Sequence, residues 1–279
     1  MATSSAFHET APAKVNLALH VTGRRNDGYH LLDSLVVFTD YGDRLDMTTE
    51  GYGLHLHIGG AFAQALDAHD NIILRAARLM MPEDAGAKIT LTKNLPVAAG
   101  IGGGSADAAA MLRLAARAWK RPLPKLAKQL ELGSDVPVCM RNTAQHMRGI
   151  GENLAELPWL KGLHLVLVNP GIALRTPDVF ARLSLHENAP MAALPKTARG
   201  FANWLGQQRN DMQSAAVSLC PVIADCLAAL GGHGAQIARM SGSGTTCFGL
   251  FDDAYTAEAA ARAIDLMAPG WWVRATQTH

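Results

Sequence analysis

The sequence lacks the features that mark several common classes of protein. None of its apolar runs reaches the roughly 18 to 20 residues that a membrane-spanning helix needs. Lys and Arg number 25 against 24 Asp and Glu, with no basic block, so neither a nucleic-acid backbone nor an anionic membrane is indicated as a partner. The polar start MATSSAFHET has no signal-peptide layout. We therefore expect a cytoplasmic protein that acts on small molecules.

Metal-binding and disulfide patterns are also missing. The cysteines form no CxxC motif and have no histidine-rich neighbour, so reduced, mostly buried thiols are expected. They are Cys139, Cys220, Cys226 and Cys247. His55 and His57 share one face of a predicted strand, but no third ligand lies near them in sequence. We interpret them as solvated and assign no residue as a metal ligand.

The pattern of apolar residues predicts an α+β fold with mixed or antiparallel sheets. Period-two alternation predicts N-terminal strands at 13–23, 34–49 and 54–60. A helix is predicted at 71–80, behind Asp70 or Asn71 as its cap. Strands and helices mingle without strict βαβ alternation.

A domain boundary is predicted in the turn-rich stretch RGIGENLAELPWLKG, before the apolar strand LHLVLVNPG. Residues 1–160 would form an ATP-binding domain and residues 161–279 a substrate-binding α+β domain. The second domain would end in a helix at 254–267 and a strand at 271–276.

A glycine cluster precedes the longest alanine-rich helical segment, in NLPVAAGIGGGSADAAAM at 94–111. Its four central glycines can expose successive N–H groups, and the positive end of the helix dipole would point at the same place. They are Gly100, Gly102, Gly103 and Gly104. A phosphate suits that arrangement, and a flexible turn capped by Ser105 is the alternative. No lysine stands where a P-loop requires one, and GxGxxS matches the Rossmann fingerprint poorly.

Three stretches together resemble the GHMP kinase superfamily, whose members phosphorylate small-molecule hydroxyls with ATP. The segment from Pro96, PVAAGIGGGSADAA, resembles its second motif, PAKVNLALHVTGRRNDGYHLLDSL its N-terminal motif and ARMSGSGTTCFGLF its C-terminal one. DYGD, GSDVP and NPGIALRTPDVF are similar to one branch, which acts on a cytidine-diphosphate-linked methylerythritol in isoprenoid precursor synthesis. Val36, Ala106 and Gln213 depart from the family pattern.

The resemblance places a catalytic base on Asp135 and a partner lysine on Lys14. Asp135 follows a predicted helix end, where a carboxylate can project into a cleft, although a turn aspartate is the alternative from position alone. Lys14 lies mid-strand, where an inward-facing charge needs a partner such as Asp135, and an exposed edge-strand lysine is the alternative. Asn16, on the same strand face, would hydrogen-bond the polyol of the substrate.

The resemblance also implies Mg²⁺ and ATP, with Ser105 as the nearest protein contact of the metal and the adenine near Asn71 and Lys93. Taken alone, these last two would be interpreted as a helix cap and a solvated lysine.

Cytosine recognition is implied in the stretches DGYH and TPDVF. The rings of Tyr29 and Phe180 would sandwich the base, His30 would contact its polar edge, and Thr176 and Pro177 would shape the pocket. Without the resemblance, Tyr29 would be interpreted as a turn residue and Phe180 as a core aromatic.

The sequence also bears on three alternative functions. A GHMP kinase for homoserine or mevalonate is disfavoured by GYH and TPDVF, and a non-catalytic nucleotide-binding module by the presence of both Lys14 and Asp135. A Rossmann oxidoreductase would need strand-helix alternation. No nucleic-acid, membrane or obligate protein partner is predicted.

Overall fold

The computed structural model describes residues 6–279, which divide into two compact units that interleave in sequence. Unit 1 contains residues 6–13 together with Gly42–Val97 and Gly102–Arg141. Unit 2 contains Lys14–Tyr41, Ala98–Ile101 and Asn142–His279. Two long strands, β1 (Ala6–Arg24) and β2 (His30–Thr48), pair with each other and contribute residues to both units.

Unit 1 combines a mixed sheet with helices. Arg44–Thr48 of β2 pairs antiparallel with β4 (Gly86–Thr92), and β4 pairs parallel with β3 (Gly53–Gly59). The helices are α1 (Ile72–Met80), α2 (Gly103–Ala118), α3 (Leu126–Leu132) and α4 (Val136–Arg141), with a 3-10 turn at Ala63–Ala65. The apolar face of α1 is buried because its apolar residues recur at helical spacing.

Unit 2 contains an antiparallel sheet in the order β10-β7-β9-β8. Its strands are β7 (His164–Asn169), β8 (Ile237–Met240), β9 (Cys247–Phe251) and β10 (Trp272–Gln277). Leu32–Val36 of β2 pairs with β5 (Gln145–Gly149), and β5 pairs with β6 (Asn153–Glu156). The helices are α5 (Thr176–Ala181), α6 (Phe201–Gly206), α7 (Gln213–Leu219), α8 (Val222–Gly232) and α9 (Ala254–Met267).

The α+β prediction with mixed and antiparallel sheets is confirmed. Four elements are not predicted, namely β5, β6, α4 and α7. Strands β5 and β6 lie partly in the stretch interpreted as turn-rich, and the helix predicted before Asp135 ends at Gly133. The short strand β6 is mostly exposed and polar, so it has no hydrophobic periodicity to reveal it.

The compact units do not follow the predicted division at residue 160. Leu19 and Val21 of β1 share a buried core with Val166, Val168 and the helices of unit 2, so an N-terminal strand packs with the C-terminal half of the chain. The assignment of ATP binding to residues 1–160 and substrate binding to 161–279 stays a prediction.

The predicted state of the cysteines is confirmed, because all four are unpaired and buried. His55 and His57 lie on the exposed face of β3. Within residues 6–279, no group of three or more His, Cys, Asp or Glu residues could hold a metal ion. No helix in the same range is long and apolar enough to cross a bilayer.

Candidate active site

The glycine cluster of unit 1 forms the start of α2. Gly102 precedes the helix in the left-handed conformation (φ 63°), which glycine adopts without steric penalty. No described residue accepts a hydrogen bond from the N–H groups of Gly103, Gly104 or Ser105. A Cβ built on Gly104 would have no other atom within 4 Å, so the space beside it is open. These features suit an anion, and the alternative of a turn capped by Ser105 is wrong, since Gly102 occupies the cap position.

A buried charge cluster lies beside this helix start. The ammonium group of Lys93 is 2.6 Å from Asp43 and 2.7 Å from Asp107, and each of the three side chains is at most 4% exposed. A Cβ on Gly103 would lie 3.1 Å from Lys93 Nζ. Asp43 also accepts hydrogen bonds from the N–H groups of Asn94 and Leu95. Asp107 Oδ1, by contrast, has no described partner.

The cluster carries one positive and two negative formal charges, so negative charge is in excess. The pKa values of Asp107 and Lys93 are both raised. Burial raises the pKa of Asp107 to about 7; the charge of Lys93 opposes that rise, and the charge of Asp43 adds to it. Burial would lower the pKa of Lys93, but the two carboxylates raise it above its usual value. Lys93 therefore stays protonated while Asp107 titrates near neutral pH.

Asn71, Lys93 and Pro96, which the resemblance implies as nucleotide-binding residues together with the glycine cluster and Ser105, lie inside unit 1. Asn71 caps α1 by accepting a hydrogen bond from Ile73 N–H at 3.0 Å, as predicted. Pro96 is buried. Lys93 is not a solvated lysine, because its ammonium group is held by two carboxylates. A contact of Asn71 or Lys93 with adenine stays a prediction.

Asp135 lies where the sequence places it, after the end of α3 and directly before α4. Its side chain is partly buried, and its carbonyl accepts a hydrogen bond from Cys139 N–H at 3.2 Å. A Cβ on Gly133, two residues earlier, would lie 3.7 Å from Ser105 Oγ, so this segment borders the start of α2. The role of Asp135 as the base stays a prediction.

Lys14 and Asn16 both lie in the central stretch of β1, in unit 2, where eleven consecutive residues are buried. The alternative of an exposed edge-strand lysine is therefore wrong. Lys14 is 4% and Asn16 1% exposed. Asn16 Nδ2 donates to Ser34 Oγ at 2.8 Å, but Asn16 Oδ1 has no described partner. A buried acceptor without a partner costs about 1–3 kcal/mol, which a donating ligand hydroxyl would remove. Because Lys14 and Asp135 fall in different units, their pairing stays a prediction.

A second glycine-rich loop, Ser241–Thr246, connects several of the predicted residues of unit 2. Ser241 Oγ donates to Gly100 O at 2.9 Å and accepts from Asn16 N–H at 3.0 Å. A Cβ on Gly100 would lie 2.5 Å from Ser241 O, so glycine is required for this close approach of two backbones. Thr176 Oγ1 lies 2.7 Å from Ser243 Oγ.

The residues predicted to bind cytosine are only partly assembled. The rings of His30 and Phe180 are stacked, with centroids 4.3 Å apart and planes within 10°. The imidazole therefore occupies one face of Phe180, where the predicted sandwich would place the base. Tyr29 is 58% exposed, and Pro177 is also exposed. Burial lowers the pKa of His30, with further contributions from His186 and Arg24, which favours the neutral form of its ring.

Sequence reasoning assigned no site role to Asp43, Asp107, Ser241 or Ser243. The signal was present, because all four belong to stretches that carry the resemblance. Of the departures, Gln213 accepts a hydrogen bond from Met240 N–H at 2.9 Å and so supports the second loop. Val36 and Ala106 are buried.

Family models match both parts of the chain. The N-terminal domain of GHMP kinases matches residues 71–143, and the C-terminal domain of GHMP kinases matches residues 192–269. The chain belongs to the GHMP kinase family, and it is an ATP-dependent small-molecule kinase.

Curated relatives are similar over nearly the full length. The chain is 55% identical to a 4-diphosphocytidyl-2-C-methyl-D-erythritol kinase of Paracoccus denitrificans, over 96% of this chain and 95% of that one. It is 52% identical to the enzyme of the same name from Ruegeria pomeroyi, over 96% and 97%.

Solved structures are similar in fold. A crystal structure of 4-(cytidine 5'-diphospho)-2C-methyl-D-erythritol kinase superposes with a TM-score of 0.82 at 30% identity, covering 98% of this chain and 99% of that one. A homoserine kinase from Cytophaga hutchinsonii superposes with a TM-score of 0.72 at 17% identity, covering 100% and 96%, and at that identity it supports the fold alone.

Proposed function

We propose that the chain transfers the γ-phosphoryl group of ATP to the 2-hydroxyl of 4-diphosphocytidyl-2-C-methyl-D-erythritol, in the synthesis of isoprenoid precursors. The observation that carries this proposal is the identity of 55% and 52%, over 96% of the chain, with kinases named for that substrate. The motifs GYH and TPDVF, which the resemblance ties to cytosine, are both present. A cytoplasmic location and the absence of other partners stay predictions.

The phosphates of ATP would lie against the start of α2. The unpaired N–H groups of Gly103, Gly104 and Ser105 and the open space beside Gly104 suit a polyphosphate. The hydroxyl of Ser105, which no described residue contacts by hydrogen bond, suits a phosphate oxygen or a magnesium-bound water. Mg²⁺ would neutralise charge on the phosphates, and it binds mainly through them.

Asp135 would accept the proton of the 2-hydroxyl as its oxygen attacks the γ-phosphorus and ADP leaves. Lys14 would stabilise negative charge on the reacting oxygens, because a buried ammonium group acts in a low dielectric. Asn16 Oδ1 would accept a hydrogen bond from another hydroxyl of the substrate and so orient the polyol.

Cytosine would bind in unit 2 on the ring of Phe180. Because His30 occupies that face at 4.3 Å, the imidazole would swing to the edge of the base, where its nitrogens can hydrogen-bond cytosine. Tyr29, which is largely exposed, would cover the other face. Stacking contributes about 1–3 kcal/mol per ring, whereas edge contacts determine which base is accepted. His30→Ala should therefore reduce discrimination between cytidine and uridine diphosphates in calorimetric titrations.

The proposal is tested by measuring ATP consumption with the diphosphocytidyl methylerythritol beside homoserine, mevalonate and a sugar. Turnover with the first compound alone is the expected result. A preference for homoserine or mevalonate would assign the chain to a different substrate class among the GHMP kinases. The absence of turnover with all four compounds would contradict the kinase mechanism. Asn16→Ala should raise KM for the polyol substrate and leave ATP binding unchanged, which separates its role from that of the nucleotide residues.

A further inference from the structure

A cavity of about 650 Å³ lies in unit 2, and none of the residues proposed to bind ATP or substrate lines it. Its walls come from the segment after α5, the segment before α7, α7 itself and β8. Three arginines and one aspartate line it, so the formal charge of its walls is +2 (three minus one). They are Arg182, Arg209, Arg239 and Asp211.

Arg239 is the most unusual of these residues, because it is a buried cation without an anionic partner. It is 7% exposed and donates hydrogen bonds to the carbonyls of Leu17, Leu205 and Gln208 at 2.7–3.0 Å. No carboxylate in residues 6–279 forms an ion pair with it, and its Nε–H has no described acceptor. Burial lowers the pKa of Arg239 to about 10, so it remains charged at neutral pH. The three carbonyls accept hydrogen bonds from its terminal Nη1 and Nη2 groups, but they carry no net charge.

The single aspartate of the cavity is already neutralised locally. Asp211 Oδ1 accepts from Arg209 Nε at 2.6 Å, and Asp211 Oδ2 accepts from Val21 N–H at 2.7 Å. Arg182, in contrast, is exposed and has no ion-pair partner in the part of the chain that the structure describes. Two positive charges, on Arg182 and Arg239, therefore remain uncompensated in one concave site.

We propose that this cavity binds a small organic anion with two or more negative charges, of the phosphate- or diphosphate-ester class. Its volume lies in the range of small-molecule sites, roughly 300–1,000 Å³. Arginine is the residue that best matches the geometry of phosphate oxygens. The remaining walls include Ser184, Ser214 and Ser218, which suit a hydroxylated rather than a lipid body.

The cavity is connected to the second glycine-rich loop. Asn210, one of its lining residues, donates to the carbonyls of Met240 and Gly242, both at 2.8 Å. Gln213, also in the lining, accepts from Met240 N–H. An anion in the cavity would therefore stabilise the walls that hold this loop in place, independently of which substrate the kinase uses.

The test is calorimetric titration of the full chain with inorganic pyrophosphate at low ionic strength, in the presence of a saturating non-hydrolysable ATP analogue that occupies the nucleotide site. Arg182→Glu removes one uncompensated charge, and Ser214→Glu introduces a negative charge from a different wall, at an exposed position of α7. The control is Arg262→Glu, an exposed arginine of α9 that does not line the cavity.

We expect one binding event for pyrophosphate, with equal affinity in the parent and in Arg262→Glu. The affinity should fall on the order of tenfold or more in both cavity variants, because a charged contact is lost. Added salt should weaken it further. If the parent does not bind pyrophosphate under these conditions, or if both cavity variants bind as the parent does, the proposal is wrong. Because the cavity variants change no residue proposed to bind ATP, the polyol or cytosine, neither result bears on the proposed reaction.

Discussion

Asp107→Asn tests whether the cluster of Lys93, Asp43 and Asp107 holds one negative charge more than it can neutralise. The distance of 2.7 Å between Lys93 and Asp107 suggests a stabilising ion pair. However, Asp43 already pairs with the same ammonium group and accepts two backbone N–H groups, whereas one oxygen of Asp107 has no described partner. Desolvation of the second carboxylate therefore outweighs its attraction to Lys93.

The magnitude follows from the pKa of Asp107, which rises from 3.8 to about 7 on folding. Roughly three pKa units at about 1.36 kcal/mol each give an upper limit of ~4 kcal/mol. The folded protein binds this proton more tightly than the unfolded chain does. The contribution to stability is thus fully present below about pH 4 and is lost as the pH rises from there to about 7. Asparagine mimics the protonated acid and has no such loss.

The assay is urea unfolding of the parent and Asp107→Asn between pH 4.5 and 8, with a single transition and equal m-values as the condition for comparison. The free energy of unfolding of the variant minus that of the parent should increase by ~2–4 kcal/mol across this range. Asp265→Asn, on the exposed surface of α9, controls for the general effect of removing a carboxylate. Parallel pH curves, or a variant that becomes relatively less stable as the pH rises, would refute the reasoning.

Further substitutions address the nucleotide and the substrate. Asp135→Asn should lower kcat by roughly 10²–10⁴-fold with little change in ATP affinity, and near-normal turnover would make Asp135 structural. Gly104→Val should weaken ATP binding without lowering Tm, because the Cβ at this position has open space. Gly103→Val should lower both ATP affinity and Tm, because its Cβ would lie 3.1 Å from the buried ammonium group of Lys93. Thermal melts and ATP titrations measure the two effects, and equal losses of Tm and of ATP affinity in both variants would argue against the phosphate site. Tyr29→Ala and Phe180→Ala should each weaken cytidine diphosphate binding by about 1–3 kcal/mol in calorimetry, and unchanged affinity would show that the base binds elsewhere.

Much of the local structure of the candidate site could be predicted from the sequence. The Asn71 cap, the glycine-led start of α2 and the position of Asp135 after α3 depend on residues within a few positions of one another. That Lys14 and Asn16 share one face of β1 follows from the two-residue period of a strand, but their burial does not, because the intervening Val15 is buried as well. The family was also determined by sequence, because its motifs occur in order along nearly the whole chain.

The tertiary structure alone decided which of these groups meet. From the sequence, Lys93 is interpreted as a solvated lysine, because its partners Asp43 and Asp107 lie 50 and 14 residues away along the chain. The closeness of Gly100 to Ser241 and of His30 to Phe180 likewise depends on how strands and loops from distant parts of the chain pack together. Hydrophobic periodicity determines which face of a strand or helix is buried, but it does not determine which other element covers that face. Ion pairs, ring stacks and close backbone approaches depend on which elements pack against each other, and that is determined only when the core assembles.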